Sequence, residues 1–170
     1  MALMTVLFAV VWRLDVQQKG MIINMKTNNY MKLEFLSRSI NEGFARSAVA
    51  AFAAQLDPTL EELGDIRTAV SEAVTNAIVH AYPDTLGKIT LRARIMENNT
   101  LEITVRDSGC GIPDIEKARE PLFTTGGAER SGMGFTIMES FMDRLTVSSR
   151  IGRGTTVTMR RRIAVRDERR

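Results

Sequence analysis

The chain has 170 residues, the size of one ordinary domain. Hydrophobic residues make up 44% and charged residues 25%, a composition that excludes disorder, collagen and a coiled coil as the main architecture. Of the net charge of +3, segment 160–170 carries +4 and segment 1–24 carries +1, which leaves −2 on the body between them. A mildly acidic body does not favour a nucleic acid as a direct partner.

The first 29 residues are predicted to form an extension outside the domain. Residues 1–14 are strongly apolar, but this run is shorter than the roughly 20 residues of a membrane span. It also lacks the basic start of a signal peptide, so we expect no membrane segment. An extra strand and a partner-binding arm remain open. We favour a mis-set start codon, because the domain pattern begins only at Tyr30.

The next part of the chain predicts one strand and two helices. Apolar residues alternate over 31–36 and predict a strand, while the alanine-rich segment 41–56 predicts a helix. Thr59 and Glu62 have the spacing of a capping box and begin a second helix. We expect that helix to end near Tyr82, because a proline follows directly.

The second half of the chain predicts antiparallel strands joined by tight turns. The predicted strands span residues 88–96, 101–107, 144–150 and 155–163. Short helices are predicted at 115–119 and 133–141. Early helices followed by late strands predict an α+β fold, a two-layer sandwich with a mostly antiparallel sheet and helices on one face.

Cys110 and His80 are the only residues of their types. An intrachain disulfide is therefore excluded, and so is a metal site built from cysteine and histidine. One free cysteine is typical of a protein from a reducing compartment, so we expect a cytoplasmic location.

Glu72 and Asn76 lie four residues apart on the second predicted helix and so share one face. A carboxylate on that face could accept a proton from a hydroxyl nucleophile, and an asparagine oxygen could hold Mg²⁺. For this pair taken alone, a solvated polar face is the simpler interpretation.

A glycine-containing loop follows the predicted strand 101–107. In Asp107-Ser-Gly109-Cys-Gly111, the two glycines would let the backbone pass close to a planar ligand. A fixed Asp107 could accept a hydrogen bond from an exocyclic amine. A tight turn is an equally good interpretation of this loop alone.

The segment before the predicted helix 133–141 favours phosphate binding. Backbone N–H groups at the helix start in Gly132-Met133-Gly134 attract anions, and Arg130 adds a planar donor group. A helix start capped by Ser131 is the simpler alternative. The preceding loop, which contains Thr124-Thr125, has the flexibility expected of a lid.

Together with Gly154-Thr-Thr156, which alone is a plain β-turn, these segments resemble the nucleotide-binding boxes of the GHKL ATPase superfamily. Segment 72–76 resembles the N box, 107–111 the G1 box, 132–134 the G2 box and 154–156 the final box. The resemblance implies a Bergerat ATP-binding kinase domain at residues 30–163, followed by a basic tail at 164–170.

Longer segments are similar to the anti-sigma factor serine kinases of bacilli. They are Phe44-Ala-Arg46 and residues 71–80, 121–125 and 129–139. The sporulation branch is the better match, and the stress-response branch with its anti-sigma B type remains an alternative. A non-catalytic, ATP-dependent binding module is the alternative from a different class.

The resemblance implies bound ATP or ADP with Mg²⁺, a homodimer, and two protein partners. One partner is the sporulation sigma factor F, which is held inactive, and the other is an anti-anti-sigma factor phosphorylated on a serine. Glu72 would be the catalytic base, Asn76 the Mg²⁺ ligand, and Arg46 part of the surface that meets both partners. Asp107 would read adenine with support from Thr156. The other implied nucleotide-binding residues are Gly109, Gly111, Thr124, Thr125, Arg130, Ser131, Gly132, Met133 and Gly134.

Overall fold

An antiparallel sheet with helices packed on one face organises residues 26–120 and 132–165, which the computed structural model describes. Within these residues, the five strands of the sheet are β1 (Thr27–Leu36), β2 (Lys88–Met96), β3 (Thr100–Asp107), β4 (Arg144–Arg150) and β5 (Gly154–Arg162). Their order across the sheet is β1-β2-β3-β5-β4. The helices are α1 (Ile40–Ala53), α2 (Leu60–His80), α3 (Ile115–Arg119) and α4 (Gly134–Phe141). The predicted α+β sandwich is confirmed.

The core lies between α2 and one face of the sheet. Register places the side chains of Leu91, Val105 and Val157 in one row across three strands, and all three are at most 5% exposed. The side chains of α2 that are buried against this face are Ile66, Ala69, Val70, Ala73, Val74 and Ala77. The apolar periodicity of α2 thus fixes which of its sides faces the sheet.

The opposite face of the sheet carries a buried carboxylate between two arginines. Glu102 is 2% exposed. It accepts hydrogen bonds from Nε of Arg94 at 2.9 Å and from Nε of Arg160 at 2.7 Å. Arg161, which follows Arg160 in strand β5, forms an ion pair with Asp65 of α2 at 3.3 Å. Arg160 and Arg161, the first residues of the basic segment 160–170, therefore connect strand β5 to β3 and to α2.

The predicted elements are confirmed, with small differences at their ends. Strand β1 begins at Thr27, before the predicted domain start at Tyr30. A bulge between Thr27 and Asn29 interrupts the alternation of apolar residues, so the sequence pattern does not indicate this first part of the strand. Helix α2 ends at His80, where the next carbonyl, that of Ala81, accepts the N–H of Cys110. Residues 1–25 and 166–170 lie outside the described residues, so the interpretation of the extension stays a prediction.

No helix in the two described segments is long and apolar enough to cross a membrane.

Helix α2 begins with the capping box that its sequence predicts. Oγ1 of Thr59 accepts the N–H of Glu62 at 3.1 Å, and Oε2 of Glu62 accepts the N–H of Thr59 at 2.8 Å. We expect Thr59→Ala to lower the free energy of unfolding by about 1 kcal/mol, because one of the two bonds is lost. Urea unfolding followed by circular dichroism measures the change.

Thr85 provides the control, since it is exposed and lies in the loop after α2. Thr85→Ala should change the free energy of unfolding by no more than about 0.5 kcal/mol. Equal losses in the two variants would show that the cap adds nothing specific to α2.

Candidate functional site

Helix α2 brings Glu72 and Asn76 against the first residue of α4. Both side chains are partly buried, on a side of α2 adjacent to the core-facing residues. A Cβ atom on Gly134 would lie 2.9 Å from Oε2 of Glu72 and 3.2 Å from Nδ2 of Asn76. A glycine at the start of α4 therefore lets this helix approach the two polar side chains closely. The structure thus brings together residues of the first and third predicted boxes.

A cavity opens beside Asn76, between α2, α4 and the sheet. Its empty volume, counted with the open mouth, is about 360 Å³. The lining residues are Ala73, Asn76, Ala77, Ala81, Val105, Asp107, Ile112, Phe135, Thr155 and Val157. Most of the wall is apolar, and the polar lining residues are Asn76, Asp107 and Thr155. This arrangement suits a flat ring with polar edges.

Asp107 is the buried charged group of this cavity. It is 5% exposed at the end of β3. Its Oδ1 accepts the N–H of Gly109 at 2.9 Å and the N–H of Thr155 at 3.1 Å. Burial raises the pKa of Asp107, and the two N–H donors counteract this rise in part. An oriented carboxylate with a raised pKa in a cavity is typical of a functional site.

Close contacts within the protein leave no room for a side chain at Gly109 or Gly111. A Cβ on Gly109 would overlap the carbonyl oxygen of Ala81, and one on Gly111 would overlap that of Arg150. Gly111 also has a φ of +78°, which favours glycine. In the described part of the chain, neither glycine lines the cavity. These glycines hold the loop after β3 between α2 and β4, and their approach to a planar ligand stays a prediction.

Strand parity separates Thr156 from Asp107, and the adjacent residue, Thr155, contacts this carboxylate instead. Thr156 pairs with Arg106 and Ser148, and strand alternation puts its side chain on the sheet face opposite Asp107. Thr155 lines the cavity and donates its N–H to Asp107. Thr155 has the same parity as the core residue Val157, and this parity is the sequence signal that could have identified it.

The remaining predicted nucleotide-binding residues lie at or before the start of α4. Gly132 has a φ of +63°, and Met133 is 39% exposed and accepts the N–H of Ile137 through its carbonyl. Thr124, Thr125, Arg130 and Ser131 lie outside the described residues, so their roles stay predictions.

Arg46 lies on α1, and its guanidinium is linked to α2 through one carboxylate. Its side chain is 41% exposed and pairs with Glu42 at 3.4 Å. Oε1 of Glu42 also accepts the hydroxyl hydrogen of Ser71, the residue before Glu72. Arg46 is thus connected through Glu42 to the helix that carries Glu72 and Asn76.

The sequence patterns missed two further contributors to the site. Phe135 of α4 lines the cavity, and the hydroxyl of Tyr82 accepts the N–H of Ser108 next to Asp107. The apolar start of the predicted helix 133–141 is a signal for Phe135. No local pattern indicates the contact of Tyr82, because it joins residues 26 positions apart.

Comparison with known proteins agrees with this geometry. Residues 37–161 match the family described as a histidine kinase-like ATPase domain. The anti-sigma F factor of Caldanaerobacter subterraneus subsp. tengcongensis is 61% identical over 136 residues, covering 79% of this chain and 94% of that protein. The anti-sigma F factor of Geobacillus kaustophilus is 58% identical over 137 residues, covering 80% and 94%.

A solved structure is similar in fold. The histidine kinase domain of the blue-light activated histidine kinase from Erythrobacter litoralis EL346 aligns with a TM-score of 0.51 and 26% identity. The alignment covers 72% of this chain and 61% of that one. The predicted resemblance to the GHKL superfamily and to the sporulation branch of its anti-sigma factors is therefore confirmed. The chain belongs to the anti-sigma F factor family and carries a histidine kinase-like ATPase domain.

Proposed function

We propose that this chain is an anti-sigma factor and an ATP-dependent serine kinase. It binds sigma factor F and, with Mg-ATP, phosphorylates a serine of an anti-anti-sigma partner, as a homodimer in the cytoplasm. The observation that carries the proposal is the convergence of Glu72 and Asn76 at the start of α4, beside an apolar cavity that contains the buried Asp107.

The residues of the cavity fit a purine nucleotide. Its apolar walls suit the faces of an adenine ring, and an oxygen of Asp107 suits the exocyclic amine. Oδ1 of Asn76 is an oxygen ligand of the kind that Mg²⁺ takes together with phosphate oxygens. The N-terminus of α4, which Gly134 holds close to Glu72 and Asn76, would attract phosphate, and Arg130 with Ser131 and Thr124-Thr125 would complete that contact.

The chain's own groups position the acceptor and manage its proton. Mg-ATP supplies the phosphoryl group, whose transfer depends mainly on alignment and charge neutralisation. The carboxylate of Glu72 would orient the serine hydroxyl of the partner and accept its proton as the serine oxygen bonds to the γ-phosphorus and ADP leaves. Asp107 would hold the adenine ring, so that the γ-phosphate lies beside Glu72.

Arg46 is proposed to contact the protein partners. Its side chain is 41% exposed on α1, so a partner can reach it. Arginine is enriched among the residues that dominate binding energy in many interfaces.

Glu72→Gln is expected to lower the rate of serine phosphorylation at least about 100-fold, because the amide cannot accept the serine proton. Nucleotide affinity should change less than about twofold, because Glu72 does not line the base cavity. Transfer from labelled ATP to the anti-anti-sigma protein measures the rate, and calorimetry measures the affinity.

Glu61→Gln is the matched control, since Glu61 is an exposed carboxylate on the first turn of the same helix. Its phosphorylation rate should equal that of the unmodified chain. A normal rate in Glu72→Gln would remove Glu72 from the base role. ATP-dependent sigma binding without transfer by the unmodified chain would favour the non-catalytic module.

Asp107→Asn is expected to weaken ATP binding about 100-fold. Oδ1 of Asp107 accepts two N–H groups, so an asparagine must place its oxygen there and its amino group toward the nucleotide. That donor would then face the donor amine of adenine, and both would be unsatisfied. Asp84→Asn, in an exposed loop, is the control and should bind ATP normally.

Asp107→Asn should raise the free energy of unfolding at neutral pH. Burial raises the pKa of Asp107, so its ionisation is less favourable in the folded chain than in the unfolded chain. This penalty appears as the pH rises from the ordinary aspartate pKa through the raised one. The stability difference between Asp107→Asn and the unmodified chain should thus shrink from pH 7 to about pH 4. Urea unfolding at both pH values measures it, and a constant difference would contradict the assignment.

Arg46→Ala is expected to weaken binding of sigma factor F about tenfold, with ATP affinity unchanged. Surface plasmon resonance with the purified sigma factor measures the affinity for the sigma factor, and calorimetry measures the affinity for ATP. Arg67→Ala provides the control, because Arg67 is an exposed arginine on α2. Equal sigma affinity in the two variants would remove Arg46 from the interface.

A further inference from the structure

Tyr82 connects two segments that are distant in sequence through its hydroxyl group. The residue lies just beyond the end of α2 and is partly buried. Its hydroxyl accepts the N–H of Ser108 at 2.8 Å and donates to the carbonyl of Lys88 at 2.8 Å. The loop after β3 is thus fixed to the first residue of β2 by a single side chain.

The ring of Tyr82 is itself supported by a fixed piece of backbone. A Cβ on Gly87 would overlap the ring, so a glycine there allows the ring to lie against the chain. Gly87 donates its N–H to Oγ of Ser37 at 3.0 Å and accepts the N–H of Ser37 at 2.8 Å. Since Ser37 is 6% exposed, the surface that holds the ring is anchored from inside the fold.

The bond to Ser108 acts on the orientation of Asp107. The N–H of Ser108 belongs to the peptide unit that joins it to Asp107, so holding this group fixes the plane directly after the aspartate. On the next residue, the N–H of Gly109 donates to Oδ1 of Asp107. The two successive N–H groups therefore have separate partners, and the hydroxyl of Tyr82 prevents the first from competing for the carboxylate.

We propose that Tyr82 is a positioning residue for nucleotide specificity, which keeps the Asp107 carboxylate in the orientation that accepts the exocyclic amine of adenine. The inference rests on the proposed adenine-reading role of Asp107. It assigns a function to a side chain that is outside the lining of the cavity described above. A tyrosine that only stabilised the fold would affect all nucleotides equally.

The test compares ATP with purine riboside triphosphate, which has the same ring and phosphates but no exocyclic amine. Tyr82→Phe keeps the ring on Gly87 and removes the hydroxyl. We expect its ATP affinity to fall about fivefold and its affinity for the analogue to change less than about twofold. Calorimetry with the full-length chain and Mg²⁺ gives both values.

Tyr30→Phe is the matched control, because Tyr30 is the other tyrosine of the chain and is 68% exposed on β1. It should leave both affinities unchanged. Equal losses of ATP and analogue in Tyr82→Phe, or no loss of either, would overturn the positioning role. If the unmodified chain does not distinguish the two nucleotides, the role of Asp107 fails and this inference fails with it.

Amide hydrogen exchange in the unmodified chain gives a second measurement that needs no variant to fold. Ser108 is exposed, so its N–H would exchange at the rate of a free amide if Tyr82 did not hold it. We expect at least about tenfold slower exchange without nucleotide. Exchange at the free rate would overturn the proposal.

Discussion

The close backbone contact between the end of α2 and the loop after β3 is the constraint on which the site depends. Gly109 lies against the carbonyl of Ala81, and the same carbonyl accepts the N–H of Cys110 at 3.0 Å. The N–H of Gly152, in the β4–β5 turn, donates to the carbonyl of Cys110 at 2.8 Å. Two other segments of the chain therefore contact this loop, and Asp107 stands at its start.

Helix α2 packs on the sheet and also carries two polar side chains of the candidate site. Its apolar side is buried against the sheet, and the adjacent side presents Glu72 and Asn76 to the start of α4. Burial of the first side fixes the rotation of the helix and thereby the direction of the second. The energy that holds the two polar groups in place thus comes from core packing, while Glu42 and Tyr82 add local hydrogen bonds around the site.

The sequence predicts most of the fold, because period-two and helical patterns are local properties. It also identifies Asp107, Glu72 and Asn76, since each lies in a short motif. The short motif does not indicate Thr155, because only the parity of the strand shows that Thr155 rather than Thr156 lies on the side of Asp107. Tyr82 could not be found, since its role depends on which loop folds against it.

The position of β5 has a consequence for the order in which the protein is made. This strand is late in the chain, yet it lies between β3 and β4 in the sheet. A ribosome must therefore release the chain through β5 before β3 gains its second neighbour and Asp107 gains the N–H of Thr155. A nascent chain interrupted before residue 154 can form helices and the β2–β3 hairpin, but it lacks half of the donors that orient its buried carboxylate.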